Sequence, residues 1–233
     1  MSPQQLSFDL PVRAAMGAAD FVVSECNRDA VAWLDRWPDW PGSILAIYGP
    51  AGCGKTHLAR VWQARSGARF LEAGFAGQLP ESNLVLDGSR LPEEDLFHLI
   101  NHIRNGKHSL LIVDREAPAR WTVGIKDLAS RLAGMAAAAV EPPDDALLAA
   151  LLVKHFSDRQ IMIKADLIDY LTRRIDRSFA GAAAAVEALD RAALARGGAI
   201  TVKLARDVLA PGVAPEKDAD SAIKDSTSEG PLA

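Results

Sequence analysis

The period of the apolar positions changes along this chain. Ile44 to Tyr48 is a short unbroken apolar run, the pattern of a strand buried on both faces. A glycine-rich stretch follows it, then a helical pattern over Lys55 to Ala64. Further runs predict strands at Arg69 to Glu72, Leu84 to Asp87, Leu110 to Val113 and Ala137 to Val140. Helical patterns separate most of them, notably Glu93 to Asn105 and Ile125 to Leu132. Strand alternating with helix predicts a parallel sheet covered on both faces. Upstream, Asn27 is placed to cap a helix over Arg28 to Asp35, and WPDWPG, Trp37 to Gly42, reads as a turn.

After Pro142 and Pro143 the strands stop. Asp144 to Phe156, Lys164 to Arg174 and Ala180 to Arg196 read as helices, and Thr201 opens a last short one ending near Leu209. Asp144 and Asp145 suit a first turn because carboxylates favour the positive end of the helix dipole. Asp166 has the position of a cap before LIDYL. Residues 1–12, with Pro3 and Pro11, read as an extended leader. From Pro211 the composition lacks periodicity and predicts disorder. The expected organisation is a leader (1–12), an α/β base (13–141), a helical lid (142–210) and a disordered tail (211–233).

A length of 233 residues suits one ordinary domain with a small appendage, and 49% hydrophobic residues allow a sizeable core. The net charge of -4 argues against broad attraction to nucleic acid. Two cysteines, Cys26 and Cys53, fit a reducing compartment better than a disulfide framework. The first residues lack an apolar signal-peptide core, and no apolar stretch is long enough to span a bilayer. The expected location is cytoplasmic, with no membrane contact.

The chemistry concentrates in GPAGCGKT, Gly49 to Thr56. It fits G-x-x-x-x-G-K-[ST] after an apolar strand and before a helix, the context a phosphate-binding loop requires. Gly49, Pro50, Ala51, Gly52, Cys53 and Gly54 form a loop whose backbone N–H groups can face phosphates, and a helix N-terminus adds positive potential. Lys55 is expected to reach the β- and γ-phosphates and Thr56 to ligate Mg²⁺, with His57 next in the helix. NLVLDG ends a strand in Asp87, the carboxylate expected to hold the Mg²⁺ shell. The cofactor expected is ADP or ATP with Mg²⁺.

Several longer phrases resemble the AAA+ branch that contains the bacterial initiator DnaA and its small relative Hda, the regulator that inactivates DnaA. FVVSECNRDAVAWL, Phe21 to Leu34, is similar to the segment that packs against adenine, with Phe21 and Val22 at its start. DLASRL, Asp127 to Leu132, is similar to the box holding the arginine finger. PPDDALLAALLVKHFSDRQI, RSFAGAAAAVEALDRAAL and ITVKLARDVL resemble successive parts of the lid. Together these phrases point to the α-proteobacterial Hda type. The resemblance implies a P-loop AAA+ fold, a three-layer α/β/α base with a small all-helical lid. It implies Arg131 as a finger acting in trans and Arg177 as the lid arginine that touches nucleotide phosphates.

QLSFDL resembles the sliding-clamp-binding peptide of that family. Gln5 offers an amide, Leu6, Phe8 and Leu10 offer apolar anchors, and Ser7 and Asp9 lie between them. Two departures stand out. Gly88 replaces a second acidic residue after Asp87, and Val113 or Asp114 falls where the family has a polar group sensing the γ-phosphate. Both losses weaken the case for hydrolysis by this chain itself. The function implied is a regulatory adaptor that binds ADP or ATP, docks on the β-subunit clamp and promotes hydrolysis of DnaA-bound ATP. DNA is then met only through the clamp, and a homodimer stays open. The alternatives are a self-contained AAA+ ATPase of clamp-loader or DnaA-loader type, and an accessory protein that recruits DnaA without stimulating hydrolysis.

Overall fold

The structure is a computed structural model that describes residues 22–71, 80–88 and 91–209. Residues 1–21, which include Gln5 to Leu10 and Phe21, and residues 210–233 lie outside the described residues. Five strands build one sheet: β1 (Ile44–Tyr48), β2 (Arg69–Phe70), β3 (Leu84–Asp87), β4 (Leu110–Asp114) and β5 (Ala136–Ala139). Their order is β2-β3-β4-β1-β5, and every pairing is parallel. Parallel neighbours need crossovers, which α2 (Lys55–Ser66), α3 (Glu93–Asn105) and α4 (Lys126–Ala133) supply, while α1 (Arg28–Asp35) precedes β1.

The two sheet faces are sorted by the alternation of side chains along each strand. Leu45 and Ile47 of β1 join Val85, Leu111 and Val113 under α1 and α2, in a core with Leu34, Leu58 and Trp62. Ile44 and Ala46 point the other way, with Leu84, Leu86, Leu110 and Ile112, toward Leu99 and Ile103 of α3 and Leu128 and Leu132 of α4. The three-layer base expected from the alternating pattern is therefore present. The WPDWPG turn folds inward: Trp40 and Trp37 pack on Trp62 with ring centroids 5.1 and 6.1 Å away, and Trp40 Nε1 donates to the Trp33 carbonyl at 2.7 Å.

A separate cluster fills the helical lid of α5 (Asp145–Asp158), α6 (Ala165–Thr172), α7 (Phe179–Arg196) and α8 (Val202–Val208). Its core contains Leu148, Leu152, Phe156, Ile168, Val186 and Leu189. Val22 and Cys26, from the segment before α1, join this cluster rather than the core of the base, so that segment straddles the two parts.

Three local expectations change. Asn27 stands at the start of α1 but makes no side-chain cap. Its Oδ1 accepts the Ser24 N–H and its Nδ2 donates to the Val22 carbonyl, so the amide ties down the incoming turn instead. Asp166 lies inside the first turn of α6, where it accepts the N–H of Leu167, and Lys164 holds the boundary. Helix α7 opens at Phe179, one residue before the periodic run, because the Ser178 hydroxyl accepts the Gly181 N–H and caps it. Asp144 and Thr201 do cap α5 and α8, through the N–H groups of Leu147 and Leu204.

Candidate functional site

The P-loop leaves β1 at the C-terminal edge of the sheet, the edge where open parallel sheets bind ligands. Gly49 N–H donates to the Asp114 carbonyl at 3.2 Å, which continues the β1–β4 ladder into the loop. Lys55, the first residue of α2, is only 9% exposed. Its ammonium donates to the carbonyls of Gly49 and Pro50 at 2.8 and 2.7 Å, with Cys53 Sγ at 3.5 Å. A buried cation requires such partners, and here the loop itself provides them. The ammonium therefore already sits within the curl, and Thr56 follows it, exposed, at the same helix end.

The lid seats directly on this loop. Phe179 N–H donates to the Gly52 carbonyl at 3.0 Å, and the Phe179 ring lies 6.1 Å from the His57 ring. Gly54 has φ +99°, and a Cβ built there would stand 2.6 Å from Phe179 Cε2. Glycine is required here by backbone conformation and by this close approach. The carbonyl of Gly52 faces the lid, leaving the other side of the loop to the α2 N-terminus and Lys55.

Asp87 ends β3, on the same sheet edge. In register it pairs with Val113, and Val113 pairs with Ile47, so two strand spacings, about 10 Å, separate it from β1. That is a span a hydrated Mg²⁺ and a phosphate can bridge. In the same register Val113 is 2% exposed in the core, while Asp114 lies beside Tyr48 at the strand end. The Asp114 carboxylate accepts the N–H groups of Arg115 and Glu116 at 2.6 and 3.1 Å. Gly88 has φ +69°, a conformation open to glycine and uncommon for other residues.

The donor set fits a nucleoside polyphosphate with Mg²⁺. Loop amides from Ala51 to Thr56 and the Lys55 ammonium would hold the phosphates, and Thr56 and Asp87 the cation shell. Val22 packs with Phe179 against the lid cluster, close to where base and lid meet. Arg177 is turned elsewhere in this structure. Its guanidinium pairs with Asp145 at 2.5 Å and approaches the Pro143 carbonyl at 3.5 Å. The lid residues brought onto the loop include Ser178, against Gly52, and Phe179, against Gly54, which periodicity alone does not reveal; RSFAG marked the segment, and Ser178 followed by Gly181 is the cap signal that fixes its geometry.

Arg131 lies on the other side of the base. Helix α4 delivers the chain to the starting end of β5, where Ala136 pairs with Leu45, whereas the P-loop leaves β1 beyond Tyr48. Arg131, in the last turn of α4, therefore belongs to the sheet edge away from the chain's own phosphate loop. Its Nε and Nη2 both donate to Asp127 Oδ2, at 3.0 and 2.8 Å, and its guanidinium stands 5.3 Å from the Phe97 ring centroid.

Among the described residues no helix is long and apolar enough to cross a membrane. No protein-family model matches the chain. The chain is 27% identical over 192 residues to the chromosomal replication initiator protein DnaA of Thermomicrobium roseum, a match covering 67% of this chain and 41% of that protein. It thus spans about two fifths of that relative's length. Domain III of Thermotoga maritima DnaA superposes with a TM-score of 0.65 at 19% identity, over 82% of this chain and 96% of that one. DnaA of Aquifex aeolicus bound to AMPPCP gives 0.60 at 16% identity, over 78% and 67%. The RuvB Holliday junction branch migration motor of Thermotoga maritima gives 0.53 at 15%, over 71% and 60%. The P-loop on β1, the parallel five-stranded sheet and the helical lid together are the DnaA-like AAA+ fold of domain III, which this chain carries.

Proposed function

We propose that this chain is an Hda-type regulatory adaptor of replication initiation. It binds ADP or ATP with Mg²⁺ in its own P-loop, through Gly49 to Thr56 and Asp87. It docks on the DNA polymerase sliding clamp through Gln5 to Leu10. It presents Arg131 to ATP held by DnaA, whose hydrolysis inactivates the initiator, and it works in the cytoplasm at the replisome. The supporting observation is the opposition of Arg131 and the P-loop across the sheet. An arginine on that edge meets phosphate only when another protein brings it there. Guanidinium donors then stabilise charge building on the transferred phosphoryl group. Phe21, Val22 and Arg177 complete the nucleotide contacts in this reading, with Arg177 released from Asp145 when nucleotide enters.

A second reading has support of its own. Gly88 lacks a carboxylate, and the Asp114 carboxylate is engaged by two backbone N–H groups. Those features fit an accessory protein that recruits DnaA with little chemistry at its own site. The deciding experiment is hydrolysis of DnaA-bound ATP with clamp-loaded DNA, with and without this chain. A large acceleration that needs the clamp supports the adaptor. DnaA binding without acceleration supports the recruiter, and rapid ATP turnover by the chain alone supports a self-contained ATPase.

A further inference from the structure

The finger helix is fixed before its side chain is considered. Glu93, at the start of α3, accepts the Gly124 N–H with both carboxylate oxygens, at 2.9 and 2.8 Å, and the Ile125 N–H at 3.1 Å. Ile125 is the N-cap of α4. One carboxylate thus anchors the entry of α4 to α3, while Leu128 and Leu132 anchor its length in the core. What remains free is the long Arg131 side chain, and Asp127 removes that freedom. A single oxygen of Asp127 takes Nε–H and one Nη2–H. A guanidinium has five N–H donors, so the remaining three, two on Nη1 and one on Nη2, form a fork facing away from Asp127.

We propose that Asp127 is a positioning residue for Arg131, orienting its guanidinium so that the Nη1 edge meets the phosphate oxygens of a nucleotide bound by the partner. This rests on the adaptor reading of Arg131. The bland account is a solvated Asp–Arg pair one helical turn apart, which contributes little to stability. That account predicts no effect on a rate measured at saturation. Positioning predicts one. Released from Asp127, Arg131 regains rotamers that must be frozen in the transition state, a loss of roughly 10-fold and at most about 30-fold in rate for an arginine side chain.

The test uses the full chain with clamp-loaded DNA and DnaA carrying labelled ATP. The chain is titrated, so that the maximal rate and the half-saturating concentration are separate readouts. Asp127→Ala is expected to lower the maximal rate about 10-fold with half-saturation unchanged. Asp127→Asn, whose amide oxygen can still accept from Nε and Nη2, is expected to recover most of the loss. Glu93→Ala serves as a helix-placement control and shifts the melting temperature as well as the rate. Circular dichroism melts of both Asp127 variants verify folding. A wild-type maximal rate in Asp127→Ala, alongside an inactive Arg131→Ala, overturns the positioning role and leaves the adaptor reading intact. A raised half-saturation with an unchanged maximum also overturns it, because Asp127 then contacts the partner instead. Wild-type activity in Arg131→Ala overturns the adaptor reading itself.

Discussion

Replacing Gly54 by alanine probes the seating of the lid on the P-loop. Two costs are legible. At φ +99° a non-glycine residue sits outside the compact left-handed well, at roughly 1–3 kcal/mol. The new Cβ also lands 2.6 Å from Phe179 Cε2, so the ring must swing off its rotamer, at roughly 0.5–1.5 kcal/mol. The expected loss is therefore about 1.5–4.5 kcal/mol in urea unfolding. The two parts separate in a double-mutant cycle with Phe179→Ala. Deleting the ring removes the second cost and leaves the first, so Gly54→Ala should be milder by about 1 kcal/mol in the Phe179→Ala background. If the two substitutions add within about 0.3–0.5 kcal/mol, as residues more than about 7 Å apart do, the seating of Phe179 over Gly54 is refuted.

The other expectations concern the nucleotide, the leader and pH. Adding ADP with Mg²⁺ should raise the melting temperature, with about 2.7 kcal/mol of stabilisation at a hundredfold excess over Kd. Lys55→Ala should remove that rise; an equal rise in the variant would contradict the role of the buried ammonium. Changing Gln5 and Leu6 together to Ala should abolish capture by immobilised clamp while leaving the melting temperature unchanged, and undiminished capture would end the clamp-docking proposal. Burial, helped by Arg159, lowers the pKa of His155 below 6.5. The unfolded chain therefore binds the proton more readily, so this contribution is present above pH 6.5 and is lost as pH falls through the lower folded value. His155→Gln should flatten the fall in stability on that acid side; an unchanged slope would contradict the assignment.

Much of the base was legible because its elements are period-driven. The bounds of β1, β3, α1 and α3 follow from apolar runs and amphipathic spacing alone. The P-loop was legible because glycine, lysine and threonine at fixed spacing have little other reason to coincide. What escaped depended on contacts between distant segments. Asn27 is a good capping residue, but the competing donors and acceptors of Val22 and Ser24 take its amide. Phe179 meets the loop from more than a hundred residues away, and Arg177 prefers a nearby carboxylate, Asp145, which no spacing rule announces. DLASRL marked Arg131 without its partner Asp127, four residues earlier in the same helix. The relation of Arg131 to the P-loop was not legible either, because that depends on the order β2-β3-β4-β1-β5, which sets β5, and with it the end of α4, beside β1.

The most direct test of the account follows the fate of one labelled phosphate. DnaA is preloaded with γ-labelled ATP and freed of excess nucleotide, so that released phosphate reports DnaA's site alone. Wild-type chain on clamp-loaded DNA should accelerate release, and Arg131→Ala should lower that acceleration by roughly 10³ to 10⁵, the span attributed to such fingers. Arg131→Lys should recover little, because an ammonium lacks the planar fork. Both variants should still bind ADP and the clamp. Release at the wild-type rate with Arg131→Ala would contradict the central claim that this arginine acts on a nucleotide held by another protein.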